Sequence, residues 1–202
     1  MNHRKPLSRH FPAYHPKAGQ PTYFVERLWN SLHRQTGVFS TNIYSIIELN
    51  RASIENPKTS LKAEHVYDFW KTVLMEYSDK VGYKNHTIRH LADPVKHPKS
   101  KPVKVGDTVT FFIWSGKPYE SPQINVAVID VTQVHKFHTE ISKGTMYGFL
   151  NGKLVTDQMA RELAANDGLS VADMDAWFAV HPRLEKNLFN GQIICWSDKV
   201  KY

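Results

Sequence analysis

The hydrophobic period of this chain changes near residue 84, and that change limits the folds open to it. Upstream, apolar residues recur at helical spacing. Val25, Leu28, Trp29 and Leu32 share one face of a segment from about 22 to 34, with Thr22 placed to cap it. Ile43, Ile46 and Ile47 repeat the pattern over about 41–52, and Val66, Phe69, Trp70, Val73, Leu74 and Tyr77 form a wide stripe over 60–78, opened by Ser60. From 84 onward the period is two. Strands are expected at 85–89, at TVTFFIW (108–114), through Ile124, Val126 and Val128, once or twice within 136–156 around Gly144, Gly148 and Asn151-Gly152, and at GQIICW (191–196). Two short helices interrupt them. One spans 157–166 and ends at Asp167-Gly168; the other spans 171–180, with Ser170 as N-cap and Asp173 three residues on.

Helices first, then mostly antiparallel strands with a helical interruption, give an α+β fold class. Pro6, Pro12, Pro16 and Gly19 make residues 1–20 an expected irregular tail. The expected organisation is that basic tail followed by a single domain over 21–202, carrying a helical insertion at about 35–83. A 41% hydrophobic content with five tryptophans supplies a core for 202 residues.

One cysteine, Cys195, excludes a disulfide framework and fits a reducing cytosol. No apolar run approaches the roughly 20 residues of a membrane span, and no apolar segment follows the basic N-terminal residues. A cytoplasmic protein without a membrane partner is therefore expected.

The net charge is +7, from 26 Lys+Arg against 19 Asp+Glu, and it is uneven. Arg4, Lys5, Arg9 and Lys17 stand in the first twenty residues with no acidic side chain, and Lys96, Lys99, Lys101 and Lys104 share the loop 91–104 with Asp93. Clustered positive charge favours polyanions, nucleic acid above all, and those four lysines are candidate phosphate contacts. The plainer alternative is a solvated surface.

The stretch YKNHTIRH (83–90) is the anomaly: a strand position that is almost wholly polar. Lys84, Thr87, Ile88 and Arg89 form a Lys-x-x-Thr-Ile-Arg pattern, followed by a Lys-x-Gly-Asp turn at Lys104, Gly106 and Asp107. Upstream lies the aromatic-rich PTYFVERLW; downstream come AANDGLSVADM and the terminal FNGQIICW. Together these resemble the ASCH family of the PUA-like superfamily, mainly over 22–34, 84–90, 104–114, 160–178 and 189–196. The resemblance is nearest the bacterial N(4)-acetylcytidine amidohydrolase branch.

That resemblance implies a PUA/ASCH-like small β-barrel with flanking helices and a pocket for a modified nucleoside, a nucleotide or an RNA base. It implies no cofactor, and it carries a catalytic set onto Lys84, Thr87 and Asp167. The chain departs from the family's pattern in its insertion, in the longer 115–156 region, and in an aspartate where the branch carries glutamate, one methylene shorter.

Cleaving an acyl group from a nucleobase amine needs a nucleophile, a base and a donor for the developing oxyanion. Thr87 is inert unless a neighbour accepts its proton. Lys84 can do so only when neutral, which requires its pKa to fall from about 10.4 towards 7, a differential of about 4–5 kcal/mol. Arg89 and burial push that way; an adjacent Asp167 pushes back. Lys84 is accordingly either the base or the oxyanion donor, with Asp167 as orienting carboxylate or base. For Lys84 to converge with Thr87 it must lie in the turn before the strand, which Gly82 eases, leaving His86 and Ile88 on the opposite face.

Arg89 and His86 are candidate substrate contacts. So are Trp114, Lys117 and Tyr119 of WSGKPYESPQ, where an aromatic can stack on a base while the lysine meets a phosphate. The bland readings are a structural ion-pair network and an ordinary hairpin turn. His86 with His90, or His135 with His138, lack cysteine or carboxylate partners at ligand spacing, so no metal is expected. No Walker loop, dinucleotide glycine pattern or nucleophile elbow is present. Three function classes follow: an amidohydrolase of acylated nucleosides, a non-catalytic RNA- or DNA-binding module, and a protein-interaction module built on the insertion.

Overall fold

The computed structural model of the chain describes residues 1–36, 42–76, 81–91, 95, 101–142, 145–181 and 187–202, without the side chains of 36 and 74–76. In chain order its first elements are β1 (Asn2–Pro6), α1 (Phe24–Thr36), α2 (Ile43–Ile54), α3 (Ala63–Glu76), β2 (His86–His90), β3 (Thr108–Trp114) and β4 (Gln123–Asp130). Then follow β5 (Gln133–Ser142), β6 (Thr145–Leu150), β7 (Lys153–Leu154), α4 (Asp157–Asp167), α5 (Val171–Ala179) and β8 (Leu188–Cys195). The class is α+β. Hydrogen bonding divides the strands into two open sheets, ordered β1-β3-β4 and β2-β8-β5-β6-β7, and neither is closed into a barrel.

The chain, expected from sequence to form a single domain after its tail, divides into two compact units. The first comprises Met1–Arg9, Pro21–Tyr83 and Thr108–Asp130; the second comprises His10–Gln20, Lys84–Asp107 and Val131–Tyr202. The N-terminal residues are also not an irregular tail, because Asn2–Pro6 pairs in parallel with β3. Only alternate residues of β1 are partly covered, so its strand has no hydrophobic run to announce it. Its order comes from the ladder, and from Arg4, which donates to Gln123 Oε1 and Asn125 Oδ1, both at 2.9 Å.

In the first unit the apolar stripes of α1 and α3 supply Val25, Leu28, Trp29, Val66, Phe69 and Val73 to the core, with Val109, Phe111 and Ile113 from β3. Tyr77 and the side chain of Leu74 lie outside the described residues. α3 begins at Ala63 rather than Ser60, where the His65 imidazole accepts from the Lys62 N–H at 3.1 Å.

Edge strand β4 is protected by an amide. Asn50, 0% exposed on α2, donates to Asn125 O at 2.9 Å and accepts from Asn125 N at 2.8 Å, standing in for a missing strand. Asn50→Ala leaves both backbone groups buried and unpaired. It should lower stability by about 1–3 kcal/mol in urea unfolding, against a few tenths for an exposed asparagine.

In the second unit α4 and α5 pack on one face of the five-stranded sheet, burying Ile88, Phe137, Leu163, Met174, Phe178, Phe189 and Ile193. The caps expected from sequence are present: Ser170 accepts from Asp173 N, and Gly168 takes φ 75° at the end of α4. The 133–154 region holds three strands where one or two were expected, the last two joined at Asn151-Gly152; Gly144 lies outside the described residues. Residues 10–20 are ordered against α5. His15 Nε2 donates to Asp173 O at 3.1 Å, and Lys17 pairs with the Asp173 carboxylate at 2.9 Å.

Candidate functional site

The site is built where the residues before β2 meet the end of α4. A helix leaves its last carbonyls without intrahelical partners and carries partial negative charge there. Asn85 N donates to Asn166 O at 2.8 Å, and Lys84 Nζ donates to Asp167 O at 2.7 Å. Lys84 also donates to the Asp167 carboxylate, closing an ion pair between residues 83 positions apart. Both are buried, Lys84 at 1% and Asp167 at 6% exposure. Gly82, at φ 83°, lies in the turn that precedes them, so Lys84 stands before the strand.

Among the described residues β2 pairs with β8 alone, in a register of His86 with Cys195 and Ile88 with Ile193. On its other edge, which carries no strand among the described residues, the Ile88 N–H donates to the Asp167 carboxylate. The carboxylate thus sits on the edge of the sheet, served by an ammonium and a backbone N–H and under the field of Arg89. Burial raises its pKa above the ordinary aspartate value, against the opposing pull of Lys84, Arg89 and the Ile88 N–H. Burial lowers the Arg89 guanidinium from its usual value, and Asp167 opposes that shift. Two oxygens of Asp167 on one Lys84 nitrogen favour the ammonium form, so this geometry suits Lys84 as an oxyanion donor and Asp167 as the base.

His86 is 0% exposed and lies on the helix-facing side of the sheet with Ile88. Its Nδ1 bonds the Tyr202 hydroxyl at 2.5 Å, and its Nε2 is 3.9 Å from Asp167 Oδ1. Burial holds its pKa well below the ordinary histidine value, and the charge of Lys84 and then His135 add to that. The imidazole is therefore neutral.

Of the sequence-derived set, the structure brings together Lys84, Asp167 and His86, with Arg89 close enough to act on the carboxylate. Thr87 is buried, and strand alternation turns it to the face opposite His86 and Ile88. Trp114, Lys117 and Tyr119 belong to the first unit, at the β3–β4 hairpin. Tyr119 is 87% exposed with its ring 5.1 Å from that of Trp114, while Lys117 pairs with Glu120 at 2.6 Å. Lys101 and Lys104 are exposed in the second unit, and Lys96 and Lys99 lie outside the described residues. The Lys104-to-Asp107 turn forms as the motif suggests, with Gly106 at φ 82° and Lys104 N donating to Asp107 Oδ2 at 2.9 Å.

Sequence reasoning missed Asn85, Asn166 and Tyr202, and weighed His135 only as a metal ligand. The two asparagines were visible beside Lys84 and Asp167. Tyr202 lies beyond the last strand in a segment without periodicity, and nothing in the sequence ties it to residue 86. Comparison of the chain with family models, with curated proteins and with solved structures finds no match.

Proposed function

We propose that the protein is an ASCH-like base-recognition protein whose site lies in the second unit. It binds a nucleoside, a nucleotide or an exposed RNA base beside Lys84 and Asp167, and hydrolyses an N-acyl group from the exocyclic amine. The observation that carries this reading is the buried contact between the Lys84 ammonium and the Asp167 carboxylate, with Arg89 acting on the same carboxylate. Burial raises Asp167 towards the range where a carboxylate can take a proton. The family resemblance of 84–90 and 104–114 adds the substrate class.

In this mechanism Lys84 turns from Asp167 to the acyl oxygen and stabilises the charge that grows there. Water bonds to the acyl carbon as Asp167 takes its proton. The proton passes to the nitrogen as the C–N bond breaks, releasing a carboxylic acid and the free amine. Arg89 anchors the base or its phosphate.

The test is incubation of the protein with N(4)-acetylcytidine, following acetate and cytidine by chromatography. Asp167→Asn, which keeps the shape and removes the base, should slow turnover about 10²–10⁴-fold. A folded wild-type protein that releases neither product removes the reading.

A second reading, a non-catalytic RNA-binding module, is favoured by the exposed Tyr119 ring beside Trp114. Its signature is RNA affinity that falls steeply with salt, is weakened by Tyr119→Ala, and is accompanied by no acyl release.

A further inference from the structure

The cluster before β2 contains a group that the proposed hydrolysis does not use. His86 has one nitrogen bonded and one open. The direction of the Tyr202 bond follows from its neighbours. The Asn166 side chain, whose Oδ1 accepts from Asn85 Nδ2 at 2.9 Å, hydrogen-bonds Tyr202 in the sense that lowers the phenol pKa, which is the effect of an amide N–H donating to the phenol oxygen. The hydroxyl proton is then left for His86 Nδ1 at 2.5 Å. Burial pushes the Tyr202 phenol up, which keeps that proton on oxygen.

A neutral imidazole carries one N–H, and here it is on Nε2. That atom is buried, makes no hydrogen bond among the described residues, and stands 3.9 Å from Asp167 Oδ1, the oxygen that takes Lys84. At that separation no hydrogen bond forms. An unmade buried donor is costly, and such a group calls for a reason.

We propose that His86 is a positioning residue held in reserve for Asp167: when a ligand carbonyl draws the Lys84 ammonium away, the His86 Nε2–H closes onto the vacated Oδ1. A movement of about 1 Å brings the pair to ordinary hydrogen-bond length. The inference rests on Lys84–Asp167 being the working site. It adds what holds the carboxylate ionised and aimed once its cation is engaged elsewhere. A neutral donor suits the task, because it compensates the carboxylate without adding a second fixed charge beside the ammonium. Asn85, Asn166 and Tyr202 serve His86 by fixing its tautomer. Among the described residues the other titratable groups facing the imidazole are His135, whose ring packs on Tyr202 at 5.4 Å, and Cys195 opposite on β8, whose thiol burial pushes up to about 12.

The experiment is nitrogen-15 NMR of the histidine-labelled full chain, which reads tautomer and titration without turnover. Wild-type His86 is expected neutral with its proton on Nε2. Lys84→Met vacates Oδ1 as a ligand would. The Nε2 proton resonance should then move downfield, and the titration midpoint of His86 should rise. Tyr202→Phe should spread the proton over both nitrogens.

In turnover, His86→Gln, which keeps an N–H donor, should retain about tenfold more kcat than His86→Leu, with KM little changed. Nδ1 protonation in the wild-type protein overturns the proposal, whether or not any variant folds. So does a His86 spectrum that Lys84→Met leaves unmoved. A wild-type protein with the expected tautomer but no acyl release removes the hydrolysis reading instead, and the Lys84→Met spectrum then decides whether His86 serves Asp167.

Discussion

Replacing Lys84 by methionine is expected to cost about 3–5 kcal/mol of stability at pH 7 and markedly less in acid. The substitution keeps the volume of the stem and strips the buried Asp167 carboxylate of its cation, leaving a charge that burial disfavours. The sign of the pH dependence follows from the direction of the shift. Asp167 already titrates above its ordinary value of 3.8 in the folded protein, so protonation favours the fold. Its contribution is fully present below the unfolded value and is lost as pH rises through the folded one. Lys84 opposes that rise, so without it the folded value climbs further. The penalty of Lys84→Met is then smallest near and below the unfolded value of about 4 and grows to its full size at neutrality. Urea midpoints at pH 4 and pH 7 measure it; an equal loss at both would show that the pair is not the source. Adding Asp167→Leu to Lys84→Met should restore most of the stability at pH 7, because an apolar pair needs no compensation.

Gly191→Ala should destabilise the second unit by about 1–3 kcal/mol, although alanine suits a strand at least as well as glycine. The reason is space rather than conformation, since Gly191 is not among the glycines with positive φ. A Cβ at 191 would stand 2.6 Å from Phe189 Cε1 and 2.9 Å from Arg89 O. The phenylalanine ring is itself packed by the rings of Phe178 and His181, at 4.9 Å each, and of His90 at 5.8 Å. The Arg89 carbonyl is backbone of the neighbouring strand and yields only if β2 shifts. The substitution therefore strains the strand that carries His86, Thr87 and Arg89, and a fall in the thermal midpoint is the direct measure. Wild-type stability in the alanine variant would mean that β2 and β8 lie farther apart than the register implies.

How much of this was legible in the sequence depended on whether the signal was local. The helices of 157–167 and 171–179 announced themselves through capping residues and those of 24–36 and 43–54 through apolar stripes, because both signals act within one turn of the chain; Thr22, the expected cap of the first, is separated from it by Tyr23 at φ 56°. β3 coincided with TVTFFIW because a strand buried on both faces is rich in β-branched and apolar residues. β1 was missed for the opposite reason: NHRKP has no apolar face, and its order depends on a partner more than a hundred residues away. The same distinction runs through the site. Lys84 and Asp167 were nominated as chemical types at plausible positions, and Lys84 before the strand followed from side-chain alternation. Tyr202 carried no such sign, since a tyrosine outside periodic structure is compatible with almost any surface.

The sequence by itself determined the α+β class, the places where the chain caps and turns, and the polar segment at 83–90 that no ordinary strand would carry. These are properties of neighbouring residues, decided by backbone sterics, hydrogen-bond donors within reach, and the period of burial. Only the tertiary structure decided the rest. It divided the strands between two sheets and turned Thr87 away from His86. It also used the bare C-terminal carbonyls of α4 to receive Lys84 and Asn85, so that a helix end became the floor of a charged site. The physical reason is range. A buried carboxylate takes its character from whatever the fold packs against it, and those partners are near in space while far apart along the chain.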